Sequence, residues 1–463
     1  MIVMKASEIA QVMGGELHGS DVEVSARAFL SSSQCVDGSI FLAIQGEKVD
    51  GHDFVTDAFA HGAVLAITSK VVNERCIVVP DVTVAIGALA GHVRQKLKSL
   101  TVIGITGSQG KTTTKELLAA VLRTKAETVS PQGNNNNELG VPITLLQCTE
   151  ETKYCVVEMG ARHQGDIAKL AEIAKPNIGV VLKVAAAHLG EFGSLEIIAK
   201  TKSEMISSLA GDGVAVIGQY DSMTAAMTSL HDGTTFTFGE TTSADIRATD
   251  IELRDGRAHF DLVTPEGRST VALRQYGLHQ IPNALAATAV AHALGFTADL
   301  IAGALSTAEM SAKWRMEVHT LEDLVVINDA YNASPDSMKA AIETLAHLSQ
   351  ERGGESWAFL GNMRELGESS GQAHAEIGTL ASTVGIDHLV TIGAPDYAAA
   401  LTEDSQIAIH PCADIDEALN FIQYLNRGDV VLCKASRSDG LEVVAEKIES
   451  AWLAKLKEEG VEE

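Results

Sequence analysis

Short apolar runs alternate with longer amphipathic stretches along most of this chain. Many of the runs are rich in Val and Ile, which is typical of strands buried in a parallel sheet. Strands are predicted at 39–44, 63–68, 101–106, 154–158, 178–184, 213–217, 324–328, 357–360, 388–392 and 429–433. Helices are predicted at 56–61, 92–99, 111–122, 194–210 and 335–348. This alternation predicts an α/β fold.

Residues 234–273 depart from that pattern, because polar and apolar positions there alternate one by one. A period of two indicates strands with one solvated face, so we expect hairpins appended to the central sheet. At about 150 residues per domain, the 463 residues predict roughly three domains. We place them at 1–99, 100–314 and 315–463, and we expect the acidic end, 455–463, to be solvated and frayed.

The composition narrows the class of protein. Hydrophobic residues make up 46% of the chain and aromatic residues only 4%, which favours α/β layers over a β-sandwich. The formal net charge of −26 repels phosphate backbones, so we expect no nucleic-acid partner. A small nucleotide is still compatible with this charge, because a glycine-rich loop binds phosphate locally through backbone N–H groups.

The six cysteines are scattered and form no C-x-x-C pair. We therefore expect reduced thiols rather than a zinc site or a disulfide framework. Residues 1–14 lack the order of a signal peptide, and no apolar stretch reaches the ~18 residues that a transmembrane helix needs. The sequence predicts a cytoplasmic protein with no membrane insertion.

The sharpest local signal for chemistry is G-x-x-G-K-T at 107–112, between a predicted strand and a predicted helix. Backbone N–H groups of such a loop wrap a phosphate, the lysine reaches the terminal phosphates and the threonine hydroxyl meets Mg²⁺. The strict spacing would need glycine at Ile105. An ordinary strand-to-helix turn and a dinucleotide site therefore remain alternatives, although lysine followed by three threonines favours phosphate and metal.

Further polar groups stand out, each with an ordinary alternative. The Asn-rich stretch 133–142 reads as a solvated loop on composition alone. Glu158 ends an apolar strand, where ligands bind in open α/β sheets, but a carboxylate in water fits equally well. His188 follows an apolar run, and a lone histidine there is more often structural than a ligand.

Together these segments follow the motif order of the Mur ligase family, which the chain resembles over nearly its whole length. The segments that carry the resemblance are 106–115, 133–142, 158–160, 187–189, 192–194 with Lys202, 283–287, 315–317, 329–338, 361–368 and 434–437. The pattern Asp-x-Tyr-Asn-x-x-Pro-Asp-Ser at 329–337 is similar to that of the member that adds a dipeptide.

The resemblance implies a small N-terminal α/β domain for the UDP-sugar and a central, mostly parallel P-loop sheet. A C-terminal Rossmann-like domain would bring the incoming amine and rotate to close the site about a hinge near Lys313. The implied reaction is ATP-dependent ligation of D-alanyl-D-alanine to UDP-N-acetylmuramoyl-tripeptide through an acyl phosphate, in peptidoglycan precursor synthesis. ATP and Mg²⁺ are the implied cofactors, and a monomer is expected.

The resemblance also assigns roles to residues. Those implied to bind ATP are Gly107, Ser108, Gln109, Gly110, Lys111, Thr112, Thr113, Asn283, Arg315, Asp329, Tyr331 and Asn332. Those implied to be catalytic are Lys111, Lys202 and His188, and those implied to hold metal are Thr112, Glu158 and His188. Those implied to bind the substrates are Ser32, Gly46, Asn136, Asn137, Lys434 and Arg437.

Lys202 lies on the apolar face of its predicted helix, with Ile198, Met205 and Ile206 one turn away on either side. Periodicity alone favours a lysine that extends its ammonium to water. The resemblance instead implies a carbamate formed from CO₂, which requires a neutral amine; burial lowers the pKa of a lysine and favours that form.

The chain departs from the family pattern at several positions. Ser31–Ser33 replaces an Asp-Ser-Arg signature, which changes the implied contacts to the UDP-sugar, while Gln280, Asn362 and Ala435 are milder replacements. Two other classes of function therefore stay open. One is a P-loop ATPase or kinase that forms no amide, and the other is a catalytically weak relative that only binds nucleotide.

Overall fold

The structure is a computed structural model. It describes the chain apart from residues 47, 132, 134, 187, 188, 403, 404 and 459–463 and the side chain of Leu189. Three larger sheets, joined in chain order, organise the described residues into three α/β units, which confirms the predicted fold class. The exact boundaries at 99 and 314 remain predictions.

The first unit is built on a small, mostly parallel sheet. Its strands are β1 (Met4–Lys5), β2 (Glu16–His18), β3 (Glu23–Val24), β4 (Ala28–Phe29), β5 (Ser39–Leu42), β6 (Ala63–Thr68) and β7 (Cys76–Val78). Its helices are α1 (Ala6–Met13), α2 (Val55–Ala60) and α3 (Val82–Lys96). The strand order is β2-β7-β6-β5-β4, with β1 and β3 paired separately. The Asp81 side chain caps α3 by accepting from the N–H groups of Thr83 and Val84.

The central unit contains a nine-stranded sheet. Its strands are β8 (Thr101–Thr106), β9 (Thr128–Val129), β10 (Tyr154–Glu158), β11 (Ile178–Val181), β12 (Val214–Gly218), β13 (Thr234–Gly239), β14 (Ile246–Arg254), β15 (Arg257–Thr264) and β16 (Gly267–Tyr276). Its helices are α4 (Lys111–Arg123), α5 (Gly140–Leu145), α6 (Asp166–Ala174), α7 (Leu189–Phe192), α8 (Leu195–Ser207), α9 (Ser222–Ala226), α10 (Gln280–Ala293) and α11 (Ala298–Thr307).

In that sheet the order is β9-β10-β8-β11-β12-β13-β14-β15-β16. The pairs from β9 to β14 are parallel. The pairs β14–β15 and β15–β16 are antiparallel, which confirms the predicted hairpins. Because β10, β8 and β11 run side by side, the loops at their carboxyl ends meet at one edge, where open α/β sheets bind ligands.

The third unit has the order β17-β18-β22-β19-β20-β21. Its strands are β17 (Glu317–Leu321), β18 (Leu324–Asn328), β19 (Ser356–Leu360), β20 (His388–Ile392), β21 (Ala408–Cys412) and β22 (Val430–Lys434). Its helices are α12 (Pro335–Arg352), α13 (Ser370–Thr383), α14 (Ile415–Leu419) and α15 (Glu442–Glu458). Only β17 is antiparallel to its neighbour among these pairs, so the unit is Rossmann-like.

Two local expectations need correction. Residues 455–458 are the last turn of α15 rather than a frayed end, because Leu456 is buried against the third sheet. The strand predicted at 178–184 ends at Val181, since the N–H of Val184 leaves the ladder and donates to Asp221 and Thr224. Among the described residues, all six cysteines are buried free thiols, and none of the helices is long and apolar enough to cross a membrane.

Candidate active site

A cleft of about 2160 Å³ opens at the carboxyl ends of β8, β10 and β11. Residues of all three units line it, from α3 of the first unit to the segment after β22 in the third. A cavity at this edge of a parallel sheet, with polar groups converging on it, is the default candidate for a binding site.

The predicted strand–loop–helix forms the floor of the cleft. Gly107 and Gly110 adopt positive φ angles of 153° and 79°, and α4 begins directly afterwards. A Cβ at residue 110 would lie 2.1 Å from the Asn283 side-chain oxygen, so this close approach requires glycine. Ser108 and Gln109 continue the loop, and Thr113 follows in the first turn of α4 beside the cleft. The loop therefore brings backbone and Asn283 together, as the resemblance implied.

Lys111 and Thr112 project from the start of α4. The Lys111 ammonium donates to the Gly107 carbonyl at 2.9 Å. Burial lowers the pKa of Lys111, and the nearby Glu158 carboxylate opposes that shift. The Thr112 hydroxyl donates to Glu158 Oε2 at 2.9 Å. An ammonium group and a hydroxyl–carboxylate pair thus lie close together at the start of α4.

The Asn-rich stretch is not simply a solvated loop. The Asn136 side chain donates to Glu158 Oε1 at 2.9 Å. The backbone carbonyl of Asn136 accepts from the Gly160 N–H at 2.8 Å. Asn137 accepts from the N–H of Gly140 at 3.0 Å and so helps to begin α5. Both asparagines line the cleft, where Asn136 fixes the orientation of the buried Glu158 carboxylate.

Lys202 is buried, with 4% of its surface exposed, and lines the same cleft from α8. Burial and then the positive charge of Lys111 lower the pKa of Lys202 to about 7. Its neighbour Lys200 is exposed, as the helical spacing predicted. The interpretation in which Lys202 extends into water is therefore wrong, and its amine is neutral in a substantial fraction of molecules near pH 7.

The third unit supplies the opposite wall. The Lys434 ammonium donates to Asp329 Oδ2 at 2.6 Å and to the Asn332 carbonyl at 2.8 Å. The Arg315 guanidinium lies 3.9 Å from the centre of the Tyr331 ring. Arg437 stacks on Trp314 and pairs with Glu442 at 2.6 Å. The predicted residues of this unit therefore all face one side of the cleft.

Two side-chain contacts bridge the cleft directly. Gln109 of the loop donates to the Ser334 hydroxyl, which begins α12, at 3.0 Å. Lys183, just after β11, pairs with Asp336 Oδ2 at 2.7 Å. Sequence reasoning missed Lys183 and Asp336 as a pair, because nothing local connects positions so far apart in the chain.

Lys115 is a second functional residue that the sequence reasoning did not single out. It is fully buried, and its ammonium donates to the carbonyls of Pro131 at 2.7 Å and Gly133 at 2.5 Å. It therefore anchors the Asn-rich loop to α4. The sequence did contain a signal for this residue. Lys115 follows Lys111 by four residues, about one helical turn, and therefore lies on the same face of the predicted helix.

Two of the described predicted residues are not part of this arrangement. Ser32 and Gly46 lie in the first unit and do not line the cleft. Ser32 is buried in a short 3-10 turn, where the hydroxyls of Ser31 and Ser33 lie 3.0 Å apart, and Gly46 is exposed. His188 falls outside the described residues. The roles implied for these residues remain predictions.

The donor set at Glu158 fits the implied Mg²⁺. Thr112 Oγ1 and Glu158 Oε2 are oxygens, which Mg²⁺ prefers, and their 2.9 Å separation matches adjacent ligands of an octahedral ion at about 2.0–2.1 Å. Within the described part of the chain, no group of three His, Cys, Asp or Glu side chains is placed to hold a metal.

The fold and this cleft define a P-loop α/β ligase with three units, and comparison with known proteins identifies the family. Residues 28–120 match the Mur ligase family, catalytic domain; residues 105–291 match the Mur ligase middle domain; residues 314–437 match the Mur ligase, glutamate ligase domain. The chain belongs to the Mur ligase family, and the predicted resemblance and enzyme class are confirmed.

Relatives that are similar over nearly the whole chain are also named as ligases. The UDP-N-acetylmuramoyl-tripeptide–D-alanyl-D-alanine ligase of Mycobacterium bovis is 38% identical over 97% of this chain and 98% of that protein. The structure of UDP-N-acetylmuramoylalanyl-D-glutamyl-2,6-diaminopimelate–D-alanyl-D-alanyl ligase from Acinetobacter baumannii aligns with a TM-score of 0.84 at 33% identity, covering 97% and 98%. MurF ligase from Thermotoga maritima, in complex with ADP, aligns with a TM-score of 0.78 at 30% identity, covering 92% and 98%.

Proposed function

We propose that this protein joins D-alanyl-D-alanine to UDP-N-acetylmuramoyl-tripeptide at the expense of ATP, in peptidoglycan precursor synthesis. The observation that carries the proposal is the single cleft that gathers Lys111 and Glu158 of the central unit with the Asp329–Lys434 pair of the third. The names of the relatives supply the substrates.

In the proposed reaction the peptide carboxylate attacks the γ-phosphorus of ATP, ADP leaves and an acyl phosphate forms. The dipeptide amine then attacks the acyl carbon, and phosphate leaves as the amide forms. Negative charge grows on the phosphoryl oxygens, so a preorganised ammonium and oriented backbone N–H groups stabilise the transition state. Lys111 and the loop at 107–112 occupy the place for that role.

Thr112 and Glu158 would hold Mg²⁺, which neutralises phosphate charge when it is bound. Asn136 keeps the Glu158 carboxylate oriented through its 2.9 Å hydrogen bond. Lys202 would carry the carbamate as a fixed anion, since burial lowers the pKa of its amine to about 7 and so favours the neutral form, which adds to CO₂ and releases one proton. The carbamate supplies two further oxygens of the kind that Mg²⁺ prefers.

On the third unit, Lys434 holds Asp329 and the 329–332 backbone in one arrangement, and Arg315 and Tyr331 stack beside them. We assign this wall to ATP and to the incoming dipeptide, and residues 1–99 to the UDP-sugar. Since groups on both walls would contact one ATP, the third unit closes on the central unit when substrates bind.

The test is a reaction with ATP, Mg²⁺, UDP-N-acetylmuramoyl-tripeptide and D-alanyl-D-alanine, followed by mass spectrometry of the products and an assay of ADP. We expect the amide product, with multiple-turnover ADP release that requires both the peptide and the dipeptide. Multiple-turnover ADP release that does not depend on the dipeptide would instead identify a phosphotransferase or ATPase. Nucleotide binding without turnover would identify a catalytically weak relative.

A further inference from the structure

The cleft extends beyond the phosphate loop into a groove between α3 and α6. Gly160, Arg162 and His163 lie where the cleft becomes this groove, and Gly91 and Ile173 lie along its floor. Arg162 follows Glu158 by four residues, so the two Cα atoms are at most about 14 Å apart. Glu158 and Arg162 therefore line the same cleft within about 14 Å of each other along the chain.

Arg162 differs from the other guanidinium groups that line the cleft. Arg364 is held by Asp439 at 2.7 Å, Arg437 by Glu442 at 2.6 Å, and Arg315 lies over Tyr331. Among the described residues, the Arg162 side chain makes no hydrogen bond, ion pair or ring contact, and it is exposed to the cleft. Its charge and its five donors are therefore available to a ligand.

The backbone that carries Arg162 is fixed, in contrast to its free side chain. Asp166 Oδ2 accepts from the N–H groups of both Arg162 and His163, at 3.0 and 2.9 Å. Glu204 accepts from the Gly165 N–H at 2.6 Å, and Asn136 accepts from the Gly160 N–H at 2.8 Å. The Asp166 carboxylate, four residues further along the chain, is thus engaged by backbone donors, and the segment is preorganised to present a cation.

We propose that Arg162 binds a carboxylate of the muramoyl peptide other than the one that reacts. This inference rests on the proposed function. The peptide named for the Acinetobacter relative contains a glutamyl residue and 2,6-diaminopimelate, each with two carboxyl groups. One glutamyl carboxylate and one diaminopimelate carboxylate stay free when a single carboxyl group is activated. Either is the planar anion that a guanidinium binds through two parallel hydrogen bonds.

The experiment uses four UDP-muramoyl tripeptides, in which the glutamyl carboxylate is free or amidated and the third residue is diaminopimelate or lysine. Initial rates and calorimetric binding are measured for the natural chain, Arg162→Met and Arg162→Lys. Arg254→Met is the matched control, because Arg254 is an exposed arginine on the β14–β15 hairpin, away from the cleft.

We expect Arg162→Met to raise KM about tenfold to hundredfold for peptides with the recognised carboxylate and to change kcat less than about twofold. The KM of Arg162→Lys should lie between those of the natural chain and Arg162→Met. The KM of Arg254→Met should match that of the natural chain. A loss confined to the free glutamyl pair identifies that carboxylate, and one confined to the diaminopimelate pair identifies the other.

Equal KM changes for all four peptides, no KM change, or a loss of kcat alone would each overturn the role of Arg162. Failure of the proposed function is a separate result, because the natural chain would then form no amide from any of the peptides. Calorimetry still tests Arg162 in that case, since binding requires no turnover.

Discussion

The central unit meets its two neighbours in different ways. Toward the first unit it shares one hydrophobic core, to which α1 and α3 contribute together with α5, α6 and α8. Toward the third unit the contacts at the cleft are polar, and Tyr276 is the central-unit side chain that packs on the third unit's core among the described residues. One junction is built like the inside of a domain, and the other like a transient interface.

Hydrogen bonds reinforce the same contrast. At the first junction, Arg94 of α3 donates to the carbonyls of Ala174 and Lys175 and to the Asn177 side chain, all within 3.1 Å. At the second junction, the bridging Lys183–Asp336 pair is more than a third exposed, so water weakens it. We infer that residues 1–314 behave as one rigid body and that motion is concentrated between that body and the third unit.

The backbone that joins these two bodies is also distinctive. Trp314 and Met316, on either side of Arg315, both adopt left-handed φ angles, 58° and 50°. Such angles are costly for residues with a side chain and persist where surrounding contacts hold them. Here Asp329 accepts from the Met316 N–H and Glu317 accepts from the Trp314 N–H. The connection is therefore ordered by the third unit itself.

The largest effect is expected at the centre of the polar junction. Lys111→Ala should lower kcat by about a hundredfold or more, because one preorganised donor to the developing phosphoryl charge is lost. Its thermal midpoint should stay close to that of the natural chain. Lys98→Ala, at an exposed position before β8, is the control. A Lys111→Ala enzyme with more than a tenth of the natural rate would contradict the phosphate assignment.

The apolar junction should respond in stability and not in chemistry. Leu89→Ala removes a fully buried side chain from the shared core and should lower the free energy of unfolding by about 2–5 kcal/mol. Urea unfolding should show residues 1–314 melting in one transition. Val84→Ala, on the exposed face of the same helix, is the matched control. Separate transitions for the first and central units would refute the single rigid body.

A third prediction concerns Lys202, which belongs to the rigid body and lines the cleft. Lys202→Ala should lose most activity, by about tenfold to a hundredfold, if Lys202 carries the proposed carbamate, because that fixed anion would then be absent. Added formate or acetate should restore part of the rate. Lys200→Ala, an exposed lysine on the same helix, should be unaffected and should not respond to these anions. An active crystal grown with bicarbonate whose density ends at a bare Lys202 amine would disprove the carbamate.

The smallest effect should come from the bridging ion pair. Lys183→Met and Asp336→Asn should each raise KM for ATP about two- to fivefold, and the double variant should add little more. The free energy of unfolding should change by less than about 1 kcal/mol, because the side chains of the pair are partly exposed to water. Arg274–Glu309, also 2.7 Å apart but within the central unit, is the control pair. Strictly additive KM changes would show that the pair does not act as one contact.

The parts of the fold that the sequence predicted best are those encoded locally. The Val- and Ile-rich runs at 101–106, 154–158 and 388–392 coincide with β8, β10 and β20. The two-residue strands of the first unit carry too few residues to show a period. Helix α10 is buried on nearly every side, so it lacks the amphipathic stripe by which helices are found.

The residues of the site also differ in whether local sequence encodes their positions. The position of the loop at 107–112 and the apolar face that carries Lys202 were predictable, because each is defined by residues within one or two turns. The burial of the Lys202 ammonium was not, since periodicity alone favoured its extension into water. The contacts from Gln109 to Ser334 and from Asn136 to Glu158 depend on how loops from different strands meet. No local pattern encodes such meetings, and only the resemblance to a family brought those segments together in advance.

The core shared by the first and central units has a consequence for the chain during its synthesis on the ribosome. The apolar face of α3 is complete at residue 96, but α6, which covers part of it, ends at residue 174. At about 5–20 residues per second, residues 97–174 take roughly 4 to 16 s to synthesise. During that interval the nascent first unit presents Leu89, Val93 and their neighbours to solvent. The chain is therefore a candidate client for chaperones that bind emerging polypeptides, and slower translation near residue 174 should increase its aggregation.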